Sequence, residues 1–325
     1  MTCTPSTAAP PLLVVALGGN AIQAPGEDDS VAGDFARTME TSEHLVALAA
    51  AGPWRLVVTH GNGPQVGNHL LRSEMGHRHA GLPLLPLDVC VADTQGGMGY
   101  MLQQCLSDAF HASGKPAVVV SVVTQTVVDP ADPGFASPSK PVGAMIPADK
   151  VEEAKARGWI LMEDRHRHGW RRVVASPDPK EIVEAGAIKA LVDDGVIAIG
   201  VGGGGIPVFQ GIDGILTGCP AVVDKDLATA MLAIDIDADA LLILTDVETV
   251  MYDFDGPEER PLREMTVHQA RGLLAEGQFP PGSMGPKVEA LCRYVESTGR
   301  TGAITSIDRS EDALRGEAGT LVVPK

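Results

Sequence analysis

Residues 195–233 read GVIAIGVGGGGIPVFQGIDGILTGCPAVVDKDLATAMLA, and the fold is decided here. The opening GVIAIGV is apolar and β-branched, the signature of a strand buried on both faces of a parallel sheet. It runs directly into four glycines, Gly202 to Gly205. Glycine lets a backbone N–H approach a ligand that a side chain would hold off. After a Gly-punctuated excursion come Asp224, Lys225 and Asp226, then LATAMLA, a good helix former. A lysine between two aspartates at a helix entrance sets a mobile ammonium beside fixed carboxylates, which suits an anionic phosphate. The plainer reading is a flexible loop and an Asp helix cap.

Upstream, the pattern repeats. LLVVAL (Leu12 to Leu17) is a buried strand ending in Gly18, Gly19 and Asn20. FARTMETSEHLVALAAAG has helical spacing that stops at Gly52. RLVVTH (Arg55 to His60) is a second strand, ending in Gly61, Asn62, Gly63 and Pro64 before a helix through QVGNHLLRSEM. A helix with a Gly-rich first turn is predicted over Thr94 to His111, and a buried strand over Pro116 to Val123. From Thr126 to about Pro179 the text is Pro-rich, charged and irregular, and predicts a lid of its own. EIVEAGAIKALVDDG predicts one helix. Downstream, ADALLILTDV is a strand, FPPGSMGPKVEALCRYVESTG delivers Lys287 to a helix start, and GAITSI and GTLVVP are late strands. Alternating β and α imply a three-layer αβα sandwich around a mostly parallel sheet, with a protruding lid. Ligands then belong at the carboxyl ends of the strands.

Composition excludes several functions. A chain of 325 residues with 44% apolar side chains can bury a real core. A net charge of −17 argues against a nucleic-acid or anionic-membrane surface. The five cysteines, Cys3, Cys90, Cys105, Cys219 and Cys292, form no CxxC pair and read as reduced cytoplasmic thiols. The start MTCTPSTAAPP lacks the basic region of a signal peptide. There is no GxxxxGK[ST] and no GxGxxG after a strand.

The chain has only nine lysines, and Lys140, Lys225 and Lys287 lie in Gly/Pro-rich turns. Phosphoryl transfer asks a protein mainly for positioning and charge neutralisation. Three aimed lysines and three Gly-rich strand ends supply that, with Asp226 spacing the lysines through charge-assisted hydrogen bonds. His77 with His79, and His166 with His168, pair on paper but lack further ligands at a usable spacing. His60 reads as a packed core histidine and Ser283 as a loop residue.

ALGGNAI, THGNGPQVG, TQGGMGYM, VVDPADPGF, SKPVG, GWRRVVASPDP, GGGGIPV, VVDKDLA, LLILTDVETV and GSMGPKVEA together resemble carbamate kinase, of the amino acid kinase fold, in order from about Leu12 to the end. GSMGPK and the Pro-rich insertion separate that family from acetylglutamate, aspartate and UMP kinases. The resemblance implies a reversible reaction, ATP + carbamate = ADP + carbamoyl phosphate. It implies Mg²⁺ held through the nucleotide phosphates, a cytoplasmic homodimer and a place in arginine metabolism. An acceptor lobe would span 1–190, with its lid at about 126–179, and a nucleotide lobe 191–325. Carried over, Gly18, Gly19, Asn20, Gly61 and Asn62 would line the carbamate crevice. Lys140, Lys225, Asp226 and Lys287 would be catalytic. Gly203, Gly204, Asp246, Val247, Tyr252 and Met284 would border the nucleotide. Two departures from the family stand out: Gly97 replaces a larger apolar residue, and the lid carries Arg165, His166, Arg167, His168, Arg171 and Arg172. The alternatives are a relative that phosphorylates another small acid, and a nucleotide-sensing protein without catalysis.

Overall fold

The computed structural model describes residues 9–22, 30–164 and 169–325. The N-terminal tail with Cys3, and the Arg165–His168 run, lie outside these residues. The described chain opens with β1 (Leu12–Leu17), α1 (Val31–Ala50), β2 (Arg55–His60), α2 (Gly63–Ala80), α3 (Leu87–Ala112) and β3 (Val119–Ser121). An excursion follows: β4 (Gln125–Val128), β5 (Lys140–Ile146), α4 (Val151–Ala156), β6 (Leu161–Asp164), β7 (Gly169–Val174) and β8 (Pro179–Ile182). Then come α5 (Ala185–Asp193), β9 (Ile197–Ile199), β10 (Ile206–Gln210), β11 (Leu216–Gly218), α6 (Lys225–Asp235) and β12 (Ala240–Thr245). The last part holds β13 (Val250–Tyr252), β14 (Arg260–Leu262), β15 (Glu264–Thr266), α7 (Val267–Ala275), α8 (Met284–Thr298), β16 (Gly302–Ser306), α9 (Ser310–Leu314) and β17 (Thr320–Val323).

Among the described residues the main sheet has eight strands in the order β15-β17-β16-β12-β1-β2-β9-β3. All neighbours are parallel except β16 with β17. β1 shows why its sequence is apolar at every position. Leu12, Val14 and Ala16 enter one core with Ile188 of α5, Leu232 of α6 and Leu291 of α8. Leu13, Val15 and Leu17 enter the other with Leu45 of α1 and Leu102 of α3. Side chains alternate across a strand, so a strand covered on both faces has no polar position. The three-layer reading is borne out.

Several local readings are corrected. The 126–179 excursion is not irregular. Its first strand, β4, belongs to a second sheet, β11-β10-β4-β8, and β5, β7 and β6 form a separate three-stranded sheet. The helix read over 181–195 begins only at Ala185, because β8 takes Pro179–Ile182 to pair with β4. Proline at a strand's first residue costs no ladder bond. The strand read over 116–123 shrinks to Val119–Ser121 at the sheet edge. Helix α3 starts at Leu87, so Gly96 and Gly97 lie inside it and not in its first turn. A Cβ at Gly97 would meet nothing within 4 Å.

Candidate functional site

The polar centre lies where β1, β2 and the start of α6 converge. Asp224 is the N-cap of α6: its Oδ1 accepts from the N–H groups of Asp226 (2.9 Å) and Leu227 (3.4 Å). Its other oxygen, Oδ2, accepts from Lys140 Nζ at 2.6 Å, across 84 residues of chain. One aspartate thus starts the helix and anchors Lys140 of β5. Asp226 carries two lysines. Lys225 Nζ donates to its Oδ1, and Lys287 Nζ, from the first turn of α8, donates to its Oδ2 at 2.9 Å. The expected organising role of Asp226 has this geometry, and all three sequence-singled lysines meet within one cluster.

Burial makes the cluster costly and therefore specific. Lys225 is 8% exposed and Asp226 3%. Burial works to raise the Asp226 pKa, but the charges and hydrogen bonds of Lys225 and Lys287 outweigh it and hold the carboxyl ionised, well below the usual range. The two lysines respond in opposite directions to the same carboxylate. Burial, helped by repulsion from Lys287, lowers the Lys225 pKa against the pull of Asp226. Burial also opposes the charge of Lys287, but Asp226 prevails and its pKa rises. Three ammoniums are held on two carboxylates inside a strongly acidic chain, which concentrates positive groups at this one point. An incoming anion is the natural complement.

The glycines explain themselves by what touches them. A Cβ on Gly61 would lie 3.2 Å from Lys225 Cδ, so the lysine stem passes over that turn. A Cβ on Gly18 would lie 3.2 Å from the Leu244 carbonyl. Gly18 and Asp246 line a recess of about 260 Å³ with Ala21, Arg37, Thr245 and Ile307, at the carboxyl ends of β1, β12 and β16. Asp246 is close enough for its charge to act on Lys287. Gly19 and Asn20 form a single 3₁₀ turn after β1. Asn62 is buried, and its Nδ2 donates to Thr94 Oγ1 at 2.9 Å. It also fills the space at Gly203, where a Cβ would come within 2.2 Å of that Nδ2.

The four-glycine run is as much a packing joint as an open loop. Gly204 has φ +90°, and a Cβ there would strike the Val223 carbonyl at 2.3 Å. The N–H groups of Gly204 and Gly205 are spent on the carbonyls of Val201 and Gly202. Val201, buried and β-branched, is held at φ +51°, a strained conformation for such a residue. Its N–H donates to Thr124 Oγ1 at 3.0 Å, and Gln95 clasps the Thr124 backbone with two hydrogen bonds of 2.8 and 2.9 Å. Asp224, Thr94, Gln95 and Thr124 were not singled out as site residues from sequence. Only Asp224 carried a signal, its place before a lysine at a helix start.

The remaining candidates are more scattered. Met284 opens α8 one turn before Lys287, on the same face. Val247 is exposed in the turn after β12, and Tyr252 ends β13 with the Arg260 guanidinium 4.6 Å from its ring centre. Ser283 precedes α8 and makes no side-chain cap bond. His77 and His79 sit in the last turn of α2, and among the described residues no three His, Cys, Asp or Glu side chains gather as a metal site. A cavity of about 410 Å³ lies between α2 and β5 and is lined by none of the three lysines. Converging charge, not volume, marks the chemistry here.

His60 is buried beside this cluster. Its Nδ1–H donates to the Gly61 carbonyl at 3.0 Å. Burial, with the Lys225 charge, pushes its pKa from 6.5 down to about 4, so it is neutral at physiological pH. The unfolded chain protonates this histidine below about pH 6.5, whereas the folded chain resists until about pH 4. Stability should therefore fall by roughly 3 kcal/mol from this group as the pH drops through that window. Urea unfolding at pH 7, 5.5 and 4 checks it: His60→Gln should show a shallower loss than wild type, and parallel curves would contradict the assignment.

Residues 11–306 match the amino acid kinase family. A carbamate kinase of Pyrococcus furiosus is 44% identical over 313 residues, covering 96% of this chain and 99% of its own. Among solved structures, carbamate kinase from Giardia lamblia bound to citric acid superposes with a TM-score of 0.91 at 40% identity, covering 97% of this chain and 99% of that one. The same Giardia lamblia enzyme bound to AMP-PNP gives a TM-score of 0.86, also at 40% identity and over 97% and 99% of the two chains. With three lysines gathered on two capping and bridging aspartates at the carboxyl ends of a parallel sheet, this chain belongs to the amino acid kinase family.

Proposed function

We propose that this protein transfers a phosphoryl group reversibly between ATP and carbamate, giving ADP and carbamoyl phosphate. The observation that carries the reading is the Asp226 carboxylate shared by Lys225 and Lys287, with Lys140 delivered beside it. Near full-length likeness to carbamate kinases supports the acceptor.

In the forward direction a carbamate oxygen forms a bond to the γ-phosphorus while the bond to the β,γ-bridging oxygen breaks. Lys225 and Lys287 neutralise charge spread over the transferring group, and Asp226 keeps their ammoniums apart and fixed. Lys140 adds the third charge from the lid. Carbamate already bears an ionised oxygen, so no base must remove a proton. Buried, neutral His60 is not asked to. Gly18, Gly19, Asn20, Gly61 and Asn62 border the carbamate and phosphates. Gly203, Gly204, Asp246, Val247, Tyr252 and Met284 border the nucleotide. Residues 1–190 hold the acceptor, 191–325 the nucleotide, and about 126–179 the cover.

Mg²⁺ belongs with the nucleotide phosphates. Both Asp226 oxygens are engaged by lysines, and the Asp224 oxygens by helix N–H groups and Lys140, so the donor set fits a metal brought in on the substrate. No described helix is long and apolar enough to cross a membrane. A cytoplasmic homodimer serving arginine metabolism, with no nucleic-acid or membrane partner, completes the proposal.

ADP and carbamoyl phosphate mixed with the protein should form ATP, read by hexokinase coupling. ATP formed only from a different acyl phosphate would move the acceptor to another small acid. ADP binding with no turnover on any acyl phosphate would make the protein a sensor.

A further inference from the structure

Helix α2 starts at the Gly61–Asn62 turn and runs out beneath the lid. Its Gly63 and Gly67, four residues apart, share one face, and that face meets β5. At Gly63 the approach is ordinary: a Cβ would sit 3.8 Å from the Pro141 carbonyl oxygen. At Gly67 it is not. A Cβ there would lie 2.1 Å from Gly143 N, 2.2 Å from Gly143 Cα and 2.9 Å from the Val142 carbonyl carbon. All three are backbone atoms, so no flexible side-chain end can swing aside. Helix backbone touches strand backbone at this point.

The strand is shaped for that contact. Gly143 has φ +73°, and it stands where β5 slips register against β7: Val142 faces Arg172, but Ile146 faces Trp170. Arg171 Nη2 donates to the Gly143 carbonyl at 3.1 Å. Lys140 is three residues along the same strand. Between them Val142 is buried in a cluster with Val66 and Leu70 of α2, and with Val222, two residues before Asp224. The Lys140 end of the Lys140–Asp224 bond is thus seated on α2 through Gly143, and both ends share one apolar cluster, built from α2 and α3, through Val142 and Val222.

We propose that Gly67 is a positioning residue for Lys140: its missing side chain lets α2 seat β5 at the depth from which the Lys140 ammonium reaches Asp224 and the transferring phosphoryl group. The proposal rests on the carbamate kinase reading above. A methyl at position 67 must push β5 outward by on the order of 1 Å to reach ordinary contact, because close-packed interiors do not absorb such an overlap. A misplacement of that size typically costs up to about 10²-fold in rate.

The test is a double-mutant cycle on ATP formation from ADP and carbamoyl phosphate. Gly67→Ala should lower kcat about tenfold to a hundredfold, while KM for ADP stays within about twofold. In a Lys140→Ala background the same change should cost less than about twofold, because the group it displaces is gone. Lys140→Ala itself should lower kcat and leave ADP affinity nearly unchanged. Gly186→Ala, in α5 with open space around it, controls for swapping glycine for alanine in a helix and should keep wild-type kcat. Should Gly67→Ala fail to fold, Val142→Ala replaces it, since it loosens the same strand without pushing it, and its kcat loss must also vanish without Lys140. Wild-type kcat in Gly67→Ala overturns the proposal, and so does an equal loss in both backgrounds. Wild-type protein inert toward carbamoyl phosphate overturns the activity reading and this one with it. Wild-type turnover with an indifferent Gly67→Ala overturns the positioning alone.

Discussion

Asp226→Asn should reduce ATP formation from ADP and carbamoyl phosphate to about a thousandth of wild type or less, and should lower unfolding stability by about 3–5 kcal/mol at neutral pH. The carboxylate is 3% exposed and sits between two ammoniums. An amide keeps the shape but withdraws the charge, and it offers one oxygen where two were used. Lys225 and Lys287 are then left in a buried site, repelling each other. The folded chain relieves this by releasing a proton, most readily from Lys225, whose pKa burial already depresses. That predicts a pH signature. In the variant the folded state binds fewer protons than the unfolded state, so stability rises with pH. The deficit against wild type should shrink between pH 7 and pH 9. Chemical unfolding at both values reads it directly. A deficit that ignores pH, or turnover near wild type, would mean that Asp226 does not organise the lysines.

Lys225→Ala carries the second largest effect. Its kcat should drop by about two to three powers of ten, the scale of losing one preorganised charge from a transition state. ADP affinity should fall much less, because an interaction made mainly in the transition state weighs on kcat and not on ground-state binding. Arginine at this position should rescue poorly. The Lys225 stem lies against the Gly61 turn, and the ammonium fits a compact space beside Asp226 that a planar fork cannot enter. Wild-type kcat in Lys225→Ala would sink the assignment. The wild-type rate profile offers an independent check. Because the folded pKa of Lys225 lies below the ordinary lysine value, its charge is lost early as pH rises. Turnover should therefore decline on the alkaline side before free lysine would titrate, and steady-state rates from pH 7 to pH 10.5 would show where.

Much of the molecule was legible residue by residue. LLVVAL and RLVVTH read as buried strands because every position after Arg55 is apolar or tolerates burial, and β1 does serve two cores at once. The Gly-Asn strand ends and the DKD entrance to a helix were visible as local chemistry, and the lysines in Gly/Pro turns stood out against so few lysines elsewhere. Other features were invisible for a common reason. Whether Pro179–Ile182 is strand or helix depends on β4 lying alongside it, and β4 is not a sequence neighbour. The 126–179 stretch looked irregular because its short strands pair across distant chain: β4 lies beside β10, and β5, β7 and β6 make a small sheet of their own.

The sequence by itself determined most of the core elements and the inventory of charge: which segments are buried, where glycine turns end the strands, and that Lys140, Lys225 and Lys287 stand in Gly/Pro-rich turns with Asp226 at a helix entrance. These follow from hydropathy period and from glycine and proline stereochemistry, which act over a few residues. Only the tertiary structure decided who meets whom. It placed β9 between β2 and β3, gave Asp226 to two lysines 62 residues apart, and made Asp224 both a helix cap and the partner of Lys140. It also pressed Gly67 against Gly143. Such pairings are set by the packing of whole elements against one another, and that packing sums over many weak contacts between distant residues, so no local window of sequence contains it.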